Sequence, residues 1–151
     1  MSGENSNASI SESNGDRMKK HIKNVASSVK ARLLKIAKDS DRDFNAVLLQ
    51  YFQERLLYRL SISPYKNNFV LKGALLYLAY GIPRFRPTKD IDFLGVDIHN
   101  SEENLMKIFR EAISVKENDG VKFDTGLLDL RVLTDGILTQ LNTLIVNHLS
   151  L

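Results

Sequence analysis

The sequence predicts an α+β fold with a helical N-terminal lead-in, and three observations carry that reading. Val25, Val29, Leu33 and Ile36 recur at spacings of three and four, the signature of an amphipathic helix. Phe44, Val47, Leu48, Tyr51, Phe52, Leu56 and Leu57 give the next segment an apolar face too broad for a single buried seam. Further on, Asp90 to Val96 alternates polar and apolar, as a half-buried strand does.

Each element follows in order. Residues 1–16 are rich in Ser, Asn, Gly and Glu and read as a disordered tail, because they offer almost no apolar surface to offset the entropy of ordering. The first helix runs from Met18, with Lys30, Arg32, Lys35 and Lys38 on its other faces. Asp39-Ser40-Asp41 breaks the pattern and offers capping side chains to a second helix over about Asp43 to Leu60. Ser61 to Asn68 is a turn segment around Pro64. Phe69-Val70-Leu71 reads as a short strand. Lys72-Gly73 then opens a short helix over Ala74 to Tyr80, which ends at Gly81, a natural residue for a helix C-terminus. Pro83 to Thr88 is a loop before the strand at Asp90. Ser101, followed by Glu102 and Glu103, suits the positive N-terminus of a helix through Ile113. Val121-Lys122-Phe123 reads as a third strand, and the Leu-rich stretch from Gly126 onward as a helix.

Composition narrows the function classes. Hydrophobic residues make up 43% and charged residues 26%, as in ordinary globular domains. There is no apolar run long enough to span a bilayer, so no membrane partner is expected. The N-terminus has no apolar signal region, which argues for a cytoplasmic location. With no cysteine, disulfides and thiolate zinc sites are excluded. The net charge of +3 is unevenly spread: residues 17–60 carry +7 and residues 91–151 carry −5. A basic front suits contact with a polyanion, and equally an ordinary solvated helix surface. His21, His99 and His148 share no metal-binding spacing, and no phosphate-binding glycine motif or hydrolase elbow is present.

The chemistry concentrates between Phe69 and Gly95. On a strand, Asp90 and Asp92 point to one face while Ile91 and Phe93 point to the other. Two neighbouring carboxylates repel unless a cation relieves them. Magnesium ions shared with substrate phosphates would do so, and would suit phosphoryl or nucleotidyl transfer. Alone, an Asp-x-Asp more often reads as two solvated surface acids. Arg86 and Lys89 add phosphate-matched cations beside it. Gly73, at the Lys72-Gly73 turn, lets backbone amides approach a phosphate.

The joint pattern is an apolar strand, Lys72-Gly73, a short helix, then Arg86, Thr88, Asp90, Asp92 and Phe93. It resembles the AbiEii/AbiGii toxin family of nucleotidyltransferases, within the polymerase-beta-like superfamily. The resemblance spans roughly residues 27–125. It implies a small mixed sheet with packed helices and a toxin–antitoxin role. The implied reaction is metal-dependent transfer of an NMP from an NTP to an RNA acceptor, with tRNA the acceptor in relatives. It also implies two Mg²⁺ ions with the NTP, Asp90 and Asp92 as catalytic metal ligands, and Lys72, Gly73, Arg86 and Thr88 as nucleotide-binding residues. A cognate antitoxin protein is a further implied partner.

The sequence departs from the family at Ala74, where many members carry another glycine and then Ser or Thr. Members also continue further, with a third acid on another strand. Residues 17–125 therefore read as an incomplete nucleotidyltransferase-like domain of a truncated member, and 126–151 as a divergent tail. Asp124, Asp129 and Asp135 are candidates for the third ligand. Two alternatives stand beside the leading reading: transfer to a small molecule or a protein hydroxyl, and a non-catalytic remnant that binds a nucleotide or a partner.

Overall fold

The structure, a computed structural model, describes residues 13–81, 88–132 and 139–142. Two helices lead. α1 spans Ser13–Asp39 and α2 spans Phe44–Ile62. α1 thus begins within the stretch read from sequence as tail; residues 1–12 lie outside the described residues. The cap of α2 is Asp43, whose carboxylate accepts from the Ala46 amide at 3.0 Å. The acids at 39 and 41 do not fill that role. Val29, Leu33 and Ala37 of α1 meet Val47 of α2, which joins the helices through a small apolar seam.

The main core lies between the sheet and the remaining helices. β1 (Phe69–Lys72) leads directly into α3 (Gly73–Ala79), and β2 (Asp90–Gly95) precedes α4 (Glu102–Ile113). Leu56 and Leu60 of α2, Leu75 of α3 and five residues of α4 from Leu105 to Ile113 close over Phe69, Ile91 and Phe93. The rings of Phe69, Phe93 and Phe109 form a triangle with centroids 4.9–5.7 Å apart. Such tilted and edge contacts add about 0.5–1.5 kcal/mol per pair beyond area burial. Ser101 caps α4 as expected, accepting from the Asn104 amide.

The C-terminal part corrects two expectations. Val121 to Phe123 joins no ladder. Its backbone is taken up locally instead: the Val121 amide donates to Asp119 and the Val121 carbonyl accepts from Arg59. Beyond a single 3₁₀ turn at Thr125–Leu127, the stretch expected to be helical supplies β3 (Asp129–Val132) and β4 (Thr139–Asn142). They pair as a hairpin, and β4 inserts beside β2, giving the order β1-β2-β4-β3. All three described ladders are antiparallel, where a mixed sheet was expected. The α+β class holds: the helices pack on a sheet whose described ladders are antiparallel, not around a parallel one.

Among the described residues no helix is long and apolar enough to cross a membrane. Of the aromatic residues read as core on α2, Phe52 is buried and Tyr51 half-buried, while Tyr58 is exposed. Tyr51 donates its hydroxyl to the Asp119 carbonyl, and burial, reinforced by the Asp119 charge, holds that hydroxyl above its ordinary pKa.

Candidate active site

The site face of the sheet is set by register. Phe69 and Leu71 of β1 pair with Gly95 and Phe93 of β2, and Lys72 pairs with Asp92. Successive side chains alternate faces, so the row that buries Ile91 and Phe93, at 0% and 1% exposure, sends Asp90 and Asp92 to the opposite side. There both acids are half-buried, on the same face as Lys72. The same-face placement expected from the alternation is therefore present.

Gly73 lies hard against this pair. Its φ is +65°, in the left-handed region that side chains other than glycine adopt at a cost. A Cβ placed on it would collide with the Asp92 carboxylate, coming within 3.0 Å of Cγ as well. Two independent constraints, backbone conformation and the Asp92 carboxylate, thus demand glycine here. The absent side chain leaves room for the Asp92 carboxylate to pack against the Gly73 backbone.

Neither Asp90 nor Asp92 is ion-paired with a described residue. Lys72 stands opposite Asp92 in the ladder without closing to salt-bridge distance, and Lys89 is exposed. The Thr88 hydroxyl makes only a long bond, 3.4 Å, to the Asp90 carbonyl. Arg86 lies outside the described residues. Among the described residues no cluster of three or more His, Asp or Glu side chains is arranged as a ready metal cage. Oxygen donors from a same-face, half-buried acid pair without a described counter-charge nevertheless fit a hard divalent cation that keeps most of its water and substrate ligands.

The three third-acid candidates separate. Asp124 is used locally, accepting from the Gly126 amide at 2.8 Å as the cap of the 3₁₀ turn. Asp135 lies outside the described residues. Asp129 is in register with Asn142 of β4, which is in register with Asp90 of β2. It therefore occupies the same cross-strand row as Asp90, two strand spacings away, or about 9–10 Å.

Sequence reasoning passed over one residue that touches this region. Gln53 of α2 is 2% exposed and donates from Nε2 to the Thr88 carbonyl at 2.7 Å. A signal for it was available. Gln53, Leu56 and Leu60 share one helical stripe, and a polar side chain on a buried stripe requires a hydrogen-bond partner.

Comparison with known proteins agrees with the geometry. No curated protein and no solved structure gives a significant match. Residues 55–133, just over half the chain, match the family described as nucleotidyl transferase AbiEii toxin of type IV toxin–antitoxin systems. The match includes Lys72, Gly73, Asp90 and Asp92 and extends through β3. The chain belongs to the AbiEii nucleotidyl transferase toxin family.

Proposed function

We propose that this chain transfers an NMP from an NTP to an RNA acceptor, a tRNA, with Asp90 and Asp92 holding Mg²⁺. The observation that carries the reading is the acid pair: two carboxylates on one face, against a side-chain-free Gly73, with no described cation to neutralise them. In the reaction the acceptor hydroxyl gives up its proton to a general base as its oxygen bonds to the α-phosphorus. The bond from that phosphorus to the bridging oxygen breaks, and pyrophosphate leaves. Bound magnesium supplies neutralisation of phosphate charge and orientation of the attacking and leaving oxygens.

The chain's own residues do the rest. Lys72, on the same face as the acids, offers a charge-assisted contact to a substrate phosphate. Gly73 lets the Asp92 carboxylate sit against the turn, because a side chain there would displace it. Arg86 and Thr88 complete the nucleotide-binding set by family resemblance. Asp129 is the third acid that the register favours. The basic segment 17–60 supports an RNA acceptor through phosphate contacts, and the family supports a cognate antitoxin as the natural partner. A cytoplasmic setting fits those partners.

The test is incorporation of label from an α-³²P-labelled NTP into RNA. Each of the four NTPs is supplied in turn, with a small-molecule and a protein acceptor in parallel. Asp90-dependent label in tRNA is expected. Label that enters only the other acceptors would replace the RNA reading. Absence of any Asp90-dependent transfer would leave the binding-only reading in its place.

A further inference from the structure

We infer that Gln53 is a positioning residue that fixes Asp90 at the end of β2 through the Thr88 carbonyl. The inference rests on the metal-site reading of Asp90 and Asp92 given above.

The two acids are anchored differently. Asp92 sits inside the sheet, paired with Lys72 of β1 on one side and Gln140 of β4 on the other. Asp90 is the first residue of β2, and the β1 ladder stops at Asp92. Its backbone is in register only with Asn142 of β4. On the β1 side nothing in the ladder limits how far this end of the strand moves.

Gln53 supplies a restraint from another layer. It reaches 35 residues along the chain, from α2 to Thr88, two residues before Asp90. The bond is short, 2.7 Å, and its donor is almost fully enclosed. A buried amide has no water to replace the Thr88 carbonyl, so the geometry is enforced by the cost of leaving the donor unsatisfied. The base of the restraint is firm as well. Leu56 and Leu60, on the same stripe of α2, are buried in the main core against the sheet. The packing of α2 is thereby transmitted through Thr88 to the start of β2, where Asp90 lies and the β1 ladder does not reach.

Metal affinity reads this out where a purely structural role would not. Mn²⁺ alone is the probe, its free concentration followed by electron paramagnetic resonance, on wild type, Asp92→Asn and Gln53→Met. Met keeps the length of Gln and removes the donor. At matched folded fraction, Gln53→Met is expected to weaken Mn²⁺ binding about 10-fold, since small misplacements of a reacting or binding group carry effects of that order or larger. Asp92→Asn is expected to abolish it. If Gln53→Met lowers the folded fraction, Gln53→Asn carries the same test, because its amide ends one methylene short of the Thr88 carbonyl. Wild-type binding with unchanged affinity in the folded Gln53 variant overturns this inference alone. No binding by the wild type overturns the metal-site reading and this inference with it.

Discussion

The molecule treats its acids in two opposite ways. Asp119 is half-buried, its side chain 10% exposed, and a buried guanidinium comes to meet it. Arg59, 1% exposed, pairs with both Asp119 oxygens at 2.8 and 3.1 Å and spends its remaining N–H groups on the carbonyls of Arg55, Val115 and Val121. Its guanidinium also lies 4.9 Å from the Phe123 ring centroid. Asp90 and Asp92, also half-buried, share one face of the sheet, and no described cation pairs with either. Where the fold needs a carboxylate for structure, it neutralises the charge internally. The contrasting pair has no described counter-charge, and that contrast, rather than burial, is what the proposed metal role rests on.

The largest effect expected is on catalysis. Asp90→Ala should lower label incorporation into RNA by about 10³-fold or more, roughly 4 kcal/mol of barrier, because losing a metal ligand removes charge stabilisation at the phosphate. The structural acid should behave in the complementary way. Arg59→Leu should cost about 3 kcal/mol of stability, since it leaves the largely enclosed Asp119 carboxylate with the Val121 amide but no counter-charge. Denaturant unfolding measures this, and adding Asp119→Leu should recover part of the loss. Were Arg59→Leu to unfold no more easily than wild type, the contrast between the two settings would dissolve.

Two smaller effects sharpen it. Lys72→Ala should reduce incorporation by 10- to 100-fold, matching one charge-assisted phosphate contact of about 1.5–3 kcal/mol, with unfolding nearly unchanged. Gly73→Ala should lose about 1–2 kcal/mol of stability from its left-handed backbone. It should also impair activity beyond that loss, because the new Cβ displaces the Asp92 carboxylate. Activity that falls only in step with the folded fraction would show that Asp92 tolerates displacement.

Much of the site was legible because its signals are local. Period-2 alternation placed Asp90 and Asp92 together, Ser101 announced α4, and Lys72-Gly73 marked the passage from strand to helix. What escaped depends on distant partners. Arg59 and Gln53 look like ordinary polar positions of a helix until Asp119 and Thr88 fold onto them from 60 and 35 residues away. Val121 to Phe123 has strand-like composition, yet Asp119 and Arg59 capture its hydrogen bonds before a ladder forms. The segments 129–132 and 139–142, Asp-Leu-Arg-Val and Thr-Gln-Leu-Asn, are too short for helix and strand periodicity to be told apart, and pairing with each other and with β2 decides them.

The central claim, that Asp90 and Asp92 await a divalent cation, is tested most directly by thermal unfolding in Mg²⁺ and in chelator, for wild type and for Asp90→Asn/Asp92→Asn. A ligand at ten times its dissociation constant stabilises by about 1.4 kcal/mol. Wild type should therefore gain a few degrees on magnesium addition, and the double variant nothing. In chelator the order should reverse, with the double variant the more stable because its two adjacent like charges are gone. An equal response to magnesium in both proteins, or a double variant no more stable than wild type in chelator, would contradict the account.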